Sequence, residues 1–497
     1  MSLSTALNTA KTGLFSAQKQ VAGASENIAN ANTAGYVKKD AQISSLSSDG
    51  FGVGVTSDIV RTQVDSILLR DLRLEVANLA TYDVRALSAS RVGDVIGTPA
   101  DERSLAAAFT DLENQLQALS GSPESEIYQR EVLYAAENLV QRFSDSEEAI
   151  QSARLEADAK IAEGVDIVND ALSSIEELNA TIVAATAAGK DVSGLLDEQD
   201  RQIDAIAEQI GIRTFTRGDG QLVITTTEGV TLLDGEAREL QFTQSATITA
   251  ATPLASLSGL TVDGFDIAPT PPGGTQDLRT GAIAGYFLAR DTDLVQYQEQ
   301  IDALAKETVV MFQQADASLA AAPPAPPFTG SLFVDGAGDG VDPAEVAANI
   351  VGLAGTIQIN PLIDPDVGGD TSLIRDGVLG PAQADGYSDQ VFAFLEGLFT
   401  KRTFNPSAGL SDFTTLQDYA SEFSSGVLND RVTFENQADR SRVLFDTLEI
   451  RRFNETGVNI DEESERLLEL EQAYSANAQV INTISRMFEE LLARIAS

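Results

Sequence analysis

The residues best spaced for metal chemistry are Asp335-Gly336-Ala337-Gly338-Asp339-Gly340-Val341-Asp342, three carboxylates in a glycine-rich run. A calcium loop of the EF-hand type needs an oxygen donor at its third position and a glutamate at its twelfth. Those places hold Ala337 and Val346, so the run reads as a solvated Asp/Gly turn and no metal is assigned. Adjacent carboxylates at Glu176/Glu177 and Asp197/Glu198 offer acid–base hydrolysis as the other conceivable chemistry. Consecutive helix positions do not face each other, so these pairs read as solvated faces or ion-pair partners. The chain shows no phosphate-binding P-loop, no G-x-S-x-G and no G-x-G-x-x-G before a helix.

Histidine, cysteine and tryptophan are absent. That removes thiolate nucleophiles, imidazole bases, the Ser-His-Asp triad and the usual zinc sites. Only carboxylate or Ser/Lys chemistry remains, and no constellation for it emerges, so the expectation is a non-enzyme without a cofactor. Against 75 acidic residues stand 33 basic ones, a net charge of −42. Such a surface repels phosphate backbones and anionic lipid, which excludes nucleic acid and membrane as partners. The missing cysteines fit either passage in unfolded form through a narrow conduit or an ordinary cysteine-poor bacterial chain. No basic stretch followed by an apolar core opens the chain, so no secretory signal peptide is expected. No apolar run is long enough to span a membrane.

The elements that must position any function begin at the two ends. From Leu467 one register runs Leu467, Leu470, Tyr474, Asn477, Ile481, Ile484, Phe488, Leu491, Ile495. The gaps alternate three and four, which places these side chains along one seam of a helix. The opening residues Leu3, Leu7, Ala10, Leu14, Ala17, Val21, Ala24 and Ile28 repeat the spacing with smaller side chains. Such a stripe stabilises its helix mainly by being buried against something. The two ends can pair as a hairpin within one molecule, or pack together and against copies of themselves.

Between the ends, residues 37–60 suggest a hairpin or extended linker, and a long helical region runs from about Thr62 to Ile210. Its clearest periodic stretch is Ile161, Val165, Val168, Leu172, Ile175, Asn179, Ile182. Near Ile212 the period drops to two, and 222–227, 230–233, 240–243 and 261–265 read as strands. Helix resumes from Gly281 to about Leu319, a polyproline-like connector follows at Ala321–Pro327, and Phe413 opens a last long helix before Gly457. The expected fold is α+β, an elongated nested multidomain rod with three layers. Residues 1–36 and 457–497 form a terminal helical assembly domain. Residues 37–212, 278–320 and 385–456 form a long antiparallel helical bundle. Residues 213–277 and 321–384 form a β-rich inserted tip.

The segment Asn27-Ile28-Ala29-Asn30-Ala31-Asn32-Thr33-Ala34-Gly35-Tyr36 resembles the N-terminal signature of bacterial flagellar axial proteins, the rod, hook and hook-associated proteins. Gly457-Val458-Asn459-Ile460-Asp461-Glu462-Glu463 with Gln472–Ile481 is similar to the matching C-terminal signature. Glu26 departs from it, where the family commonly has a further asparagine. In the interior, Leu195–Asp200 and the block Glu126–Phe143 are similar to the helical domain of the hook-associated protein 1 family. The resemblance implies a structural part at the hook–filament junction, exported by the flagellar type III apparatus to the extracellular flagellum. It implies as partners further copies of the chain, flagellar hook protein, hook-associated protein 3, and an export chaperone on the C-terminal helix. The motif turn Asn27, Asn30, Asn32, Thr33, Gly35, Tyr36 and the two seams are its candidate site. Another axial protein, an acidic secreted binding protein and a carboxylate-based hydrolase are the competing readings.

Overall fold

The structure, a computed structural model, describes the chain apart from residues 1–2, 34, 49–50, 219, 270–273, 320–329, 346–349 and 496–497. The Ala321–Pro327 connector therefore lies outside the described residues. In chain order the elements are α1 (Leu3–Asn30), β1 (Lys39–Ser48), β2 (Phe51–Arg61), α2 (Ser66–Ile96), α3 (Leu105–Gly121), α4 (Glu126–Ala187) and α5 (Ser193–Gln209). Seven short strands follow: β3 (Ile212–Thr216), β4 (Leu222–Thr226), β5 (Thr231–Asp234), β6 (Glu236–Ala237), β7 (Leu240–Gln241), β8 (Thr261–Val262) and β9 (Phe265–Asp266). Then come α6 (Ala282–Leu288), α7 (Leu294–Leu319), β10 (Phe333–Val334), α8 (Leu353–Thr356), β11 (Gln358–Ile359), α9 (Leu373–Asp376) and α10 (Asp389–Phe399). The chain closes with β12 (Arg402–Thr403), β13 (Phe413–Thr414), α11 (Leu416–Thr456) and α12 (Ile460–Ile495). Helix dominates and every sheet is small and antiparallel, an α+β architecture.

Two compact units share these elements, with boundaries falling inside α2, α4 and α11. The first comprises 1–77, 167–239 and 441–497, the second 78–166 and 240–440. In the first unit the α4 register inferred from spacing is buried at Val168, Leu172, Ile175 and Ile182. Asn179 interrupts that apolar row for a reason. Its amide donates to the Leu222 carbonyl (3.1 Å) and accepts from the Leu222 N–H (3.1 Å), fixing β4 against the helix. The sheet order is β3-β4-β5-β6, and Gly229 supplies the left-handed turn between β4 and β5.

The second unit holds one continuous apolar core. Leu112, Leu116, Leu139, Phe143, Ile301, Leu304, Phe312, Phe394, Tyr419 and Phe423 are buried in it. Residues around β10, α8 and β11, which the sequence groups with the β tip, contribute Leu332, Phe333, Leu353 and Ile357 to this helical core. Two helix boundaries differ from the spacing. Phe413 is exposed and pairs in β13 with Thr403. The helix starts after it because Thr415 caps it, accepting the Asp418 N–H at 3.2 Å. The expected helix from Gly281 to Leu319 is interrupted by a π turn at 289–293. There Arg290, 2% exposed, bonds Asp158, which is fully buried, and lies over the Phe287 ring.

Candidate assembly site

The motif turn and the two terminal helices converge in the first unit. At the end of α1, Asn27 is wholly buried; its Nδ2 donates to the Lys39 carbonyl (2.9 Å) and its Oδ1 accepts the Lys39 N–H (2.9 Å). The Tyr36 hydroxyl donates to the same Oδ1 at 2.8 Å. Burial and the nearby Glu26 carboxylate push that hydroxyl far above its ordinary pKa, so it stays a donor. Asn30 donates to the Glu26 carbonyl (3.0 Å), Thr33 donates to Asn30 Oδ1 (3.3 Å), and Gly35 takes the left-handed backbone. Asn32 is exposed. Glu26, the departure from the family signature, pairs with the buried Lys39 ammonium.

The C-terminal motif closes on the same place. The Lys38 N–H donates to the Thr456 carbonyl (2.9 Å), and Lys38 Nζ lies 3.3 Å from the buried Glu463. Arg466 reaches Asp40 at 3.1 Å. Gly457 permits the sharp exit from α11, since a Cβ there would sit 2.5 Å from the Phe453 carbonyl oxygen. Asn459 then caps α12, and Asp461, Glu462 and Glu463 occupy its positive first turn. A ladder of alternating charge braces the site from behind. Arg61 bonds Asp197 (2.7 Å) and Asp200, Arg73 bonds Asp200 (2.9 Å) and Asp204 (2.7 Å), and Arg452 lies 3.8 Å from Asp204. Between ladder and motif turn lies a cavity of about 240 Å³. Sequence reading passed over these arginines because their partners are distant in the chain. The Asp197/Glu198 pair is thereby divided, Asp197 to Arg61 and Glu198 to Arg201.

Residues 38–40 lie beside both the end of α1 and the start of α12, while Gly13 approaches Asn477. The two helices are therefore antiparallel neighbours. Along the α1 seam Ala10, Ala17 and Ala24 are buried, and Leu3, Leu7, Leu14, Val21 and Ile28 are half-buried. Along the α12 seam Leu470 and Ile484 are buried, and Leu467, Asn477, Ile481 and Phe488 are half-buried. Tyr474 and Leu491 remain exposed, and the Ile495 side chain lies outside the described residues. Within one chain the seam is thus covered on one side only. Off it, Phe15 on α1 is 60% exposed, and on α12 Leu468 is 62% and Leu492 65% exposed.

The remaining sequence candidates are structural. Glu176 Oε2 accepts the Ala237 N–H at 2.8 Å. Asp335 Oδ1 accepts the N–H groups of Ala337 and Asp339, both at 2.9 Å, which makes a self-contained turn. Among the described residues no group of three or more carboxylates is arranged to hold a metal ion.

Both ends match families of the flagellar axis. Residues 7–36 match the family described as "Flagella basal body rod protein", and 452–494 "Flagellar basal body rod FlgEFG protein C-terminal". Paired terminal helices joined through these two motifs make the ends of the chain similar to those of flagellar axial proteins. Residues 89–318 match "Flagellar hook-associated protein FlgK helical domain". This helical-domain match spans a little under half of the chain and places its similarity with flagellar hook-associated protein 1. The chain is 26% identical over 311 residues to flagellar hook-associated protein 1 of Escherichia coli, covering 61% of this chain and 55% of that one. The matched stretch thus spans about half the length of that relative. Flagellar hook-associated protein 1 of Bacillus subtilis is 22% identical over 516 residues, covering 98% and 97% of the two chains. The flagellar hook junction protein of Burkholderia pseudomallei is similar at a TM-score of 0.42 and 20% identity, over 55% of this chain and 45% of that one.

Proposed function

We propose that the chain is a structural subunit of the bacterial flagellum that links hook to filament, its paired terminal helices packing against those of further copies. The observation that carries this reading is the one-sided seam: α1 and α12 hold each other and still leave Phe15, Leu468 and Leu492 in water. Each such side chain gains roughly 1.5–3 kcal/mol on full burial, which a ring of copies would supply. The predominantly acidic interior serves as a solvated outer body, without a reaction centre. Hook protein and hook-associated protein 3 are the axial neighbours of this reading, and an export chaperone would shield α12 before assembly, as amphipathic helices are shielded in grooves. Passage through the flagellar export apparatus accords with a chain free of cysteine.

Deletion of the gene followed by electron microscopy tests it. Hooks without filaments, with filament protein released to the medium, are the expected result; intact filaments in the deletion strain overturn it.

A further inference from the structure

The ribbon of β1 and β2 has two outer edges, and the chain treats them differently. Register places Lys39 opposite Arg61, Ile43 opposite Ser57 and Ser45 opposite Val55. Lys39 turns its N–H and carbonyl away from β2, toward Asn27. With the two-residue period of an antiparallel ladder, Ala41, Ile43 and Ser45 turn theirs the same way. On the β2 side two of the matching outward groups are occupied. The Val55 N–H donates to Thr12 Oγ1 (3.2 Å) and the Ser57 carbonyl accepts Lys19 Nζ (2.9 Å), so α1 caps part of that edge. On the β1 side, no described residue bonds the outward groups of Ala41, Ile43 or Ser45. Ile43 is 57% exposed, and Gln42 through Ser47 are all exposed.

We propose that the outer edge of β1, from Ala41 to Leu46, is a docking surface for an extended strand of a second copy of this chain. An open edge is a template for strand pairing that proteins otherwise block with lysine, proline, inward charge or a covering element. Residues 41–46 carry none of these blocks, and the register shift between Leu46 and Ser47 ends the open run, while α1 covers part of the opposite edge. The occupant follows from charge. Copies at −42 repel each other over most of their surface, and 41–46, Ala-Gln-Ile-Ser-Ser-Leu, is without charge. It adjoins α1, so strand addition would be continuous with the helix packing on which the proposed function rests.

The test uses the full chain with a photo-crosslinking amino acid in place of Ser45, irradiated as dilute monomer and after assembly. Mapped crosslinks to an extended segment of another copy, present only after assembly, are expected. Crosslinks to another protein, or none in assembled material, overturn the proposal. Ile43→Pro deletes an outward N–H and no bond to β2, and Ser45→Lys installs an edge charge. Both variants should keep the monomer melting curve and lower the assembled fraction at least tenfold. Wild-type assembly alongside unimpaired variants defeats the edge alone; a wild-type chain that never assembles defeats the junction reading as well.

Discussion

The side-chain amide of Asn27 bonds both backbone groups of Lys39, standing in for a neighbouring strand at the first residue of β1. Asn179 does the same to Leu222 at the first residue of β4. In each case an asparagine buried on a helix starts a strand in a fixed register. Asn27→Ala would leave two buried backbone groups and the Tyr36 hydroxyl without a partner. Orphaned buried groups cost ~1–3 kcal/mol each, so the two backbone groups alone predict a loss of about 2–6 kcal/mol in the first unit. Faster amide exchange at residues 36–40, with the second unit's exchange unchanged, is the check.

Ile484 is the most deeply buried large residue of the α12 seam. Ile484→Asp places a charge against α1 and should release both terminal helices, since a buried unpaired carboxylate is strongly unfavourable. Ile481→Asp and Phe488→Asp, at half-buried positions, should spare the monomer more and still block assembly. Sedimentation of the three variants separates the effects. Normal polymer from all three contradicts a seam shared between copies.

Asp158 and Arg290 form the most enclosed ion pair of the second unit among the described residues; Asp158 Oδ2 also accepts the Ser245 N–H at 2.6 Å, and Arg290 also bonds Asp291 at 2.8 Å. Asp158→Ala removes one of two carboxylates on the guanidinium, which keeps Asp291 at 2.8 Å. It should therefore lower the melting temperature by less than loss of an isolated buried pair would. Arg290→Met leaves both Asp158 and Asp291 without their cation and should cost more than Asp158→Ala, whereas adding Asp158→Leu relieves only the more buried of the two carboxylates. Thermal unfolding of the single and double variants measures the difference.

Asp302 is buried on α7, where it accepts the N–H groups of Gly352 and Ala354 at 2.8 and 2.9 Å. Burial pushes its carboxyl from 3.8 up to about 6 despite those bonds. Between those values the native chain holds a proton that the unfolded chain has released. The contribution is therefore complete below 3.8 and lost as pH rises through 6. Glu147, raised first by its own burial and then by Asp302, adds in the same direction. The melting temperature of the second unit should fall as pH rises from about 4 to about 7, and Asp302→Asn should flatten that slope.

What the sequence disclosed was periodic or local. The α4 row from Ile161 to Ile182 is buried at every position named from spacing, and the Asp/Gly and Glu/Gly pairs stand at strand turns. Contacts between distant residues were hidden. Arg73 meets Asp200 and Asp204 across more than a hundred residues, and neither side has a periodic signature. The hairpin-facing side of α1 was missed for a related reason. It is built from Thr12, Ser16, Lys19, Gly23 and Asn27, polar or small residues that a search for apolar stripes passes over. Phe413 misled in the opposite sense, an aromatic that happened to fall in phase with the helix after it.

The first unit is assembled from three separated stretches of chain, and its clasp joins Asp40 to Arg466, 426 positions apart. Bringing such distant points together costs about 5 kcal/mol of chain entropy, whereas the second unit needs no residue before 78 or after 440. The body can therefore condense while head and tail are still strangers. A polypeptide delivered end first keeps its joining parts unlocked until the last of it arrives, and that order of events is written into the connectivity alone.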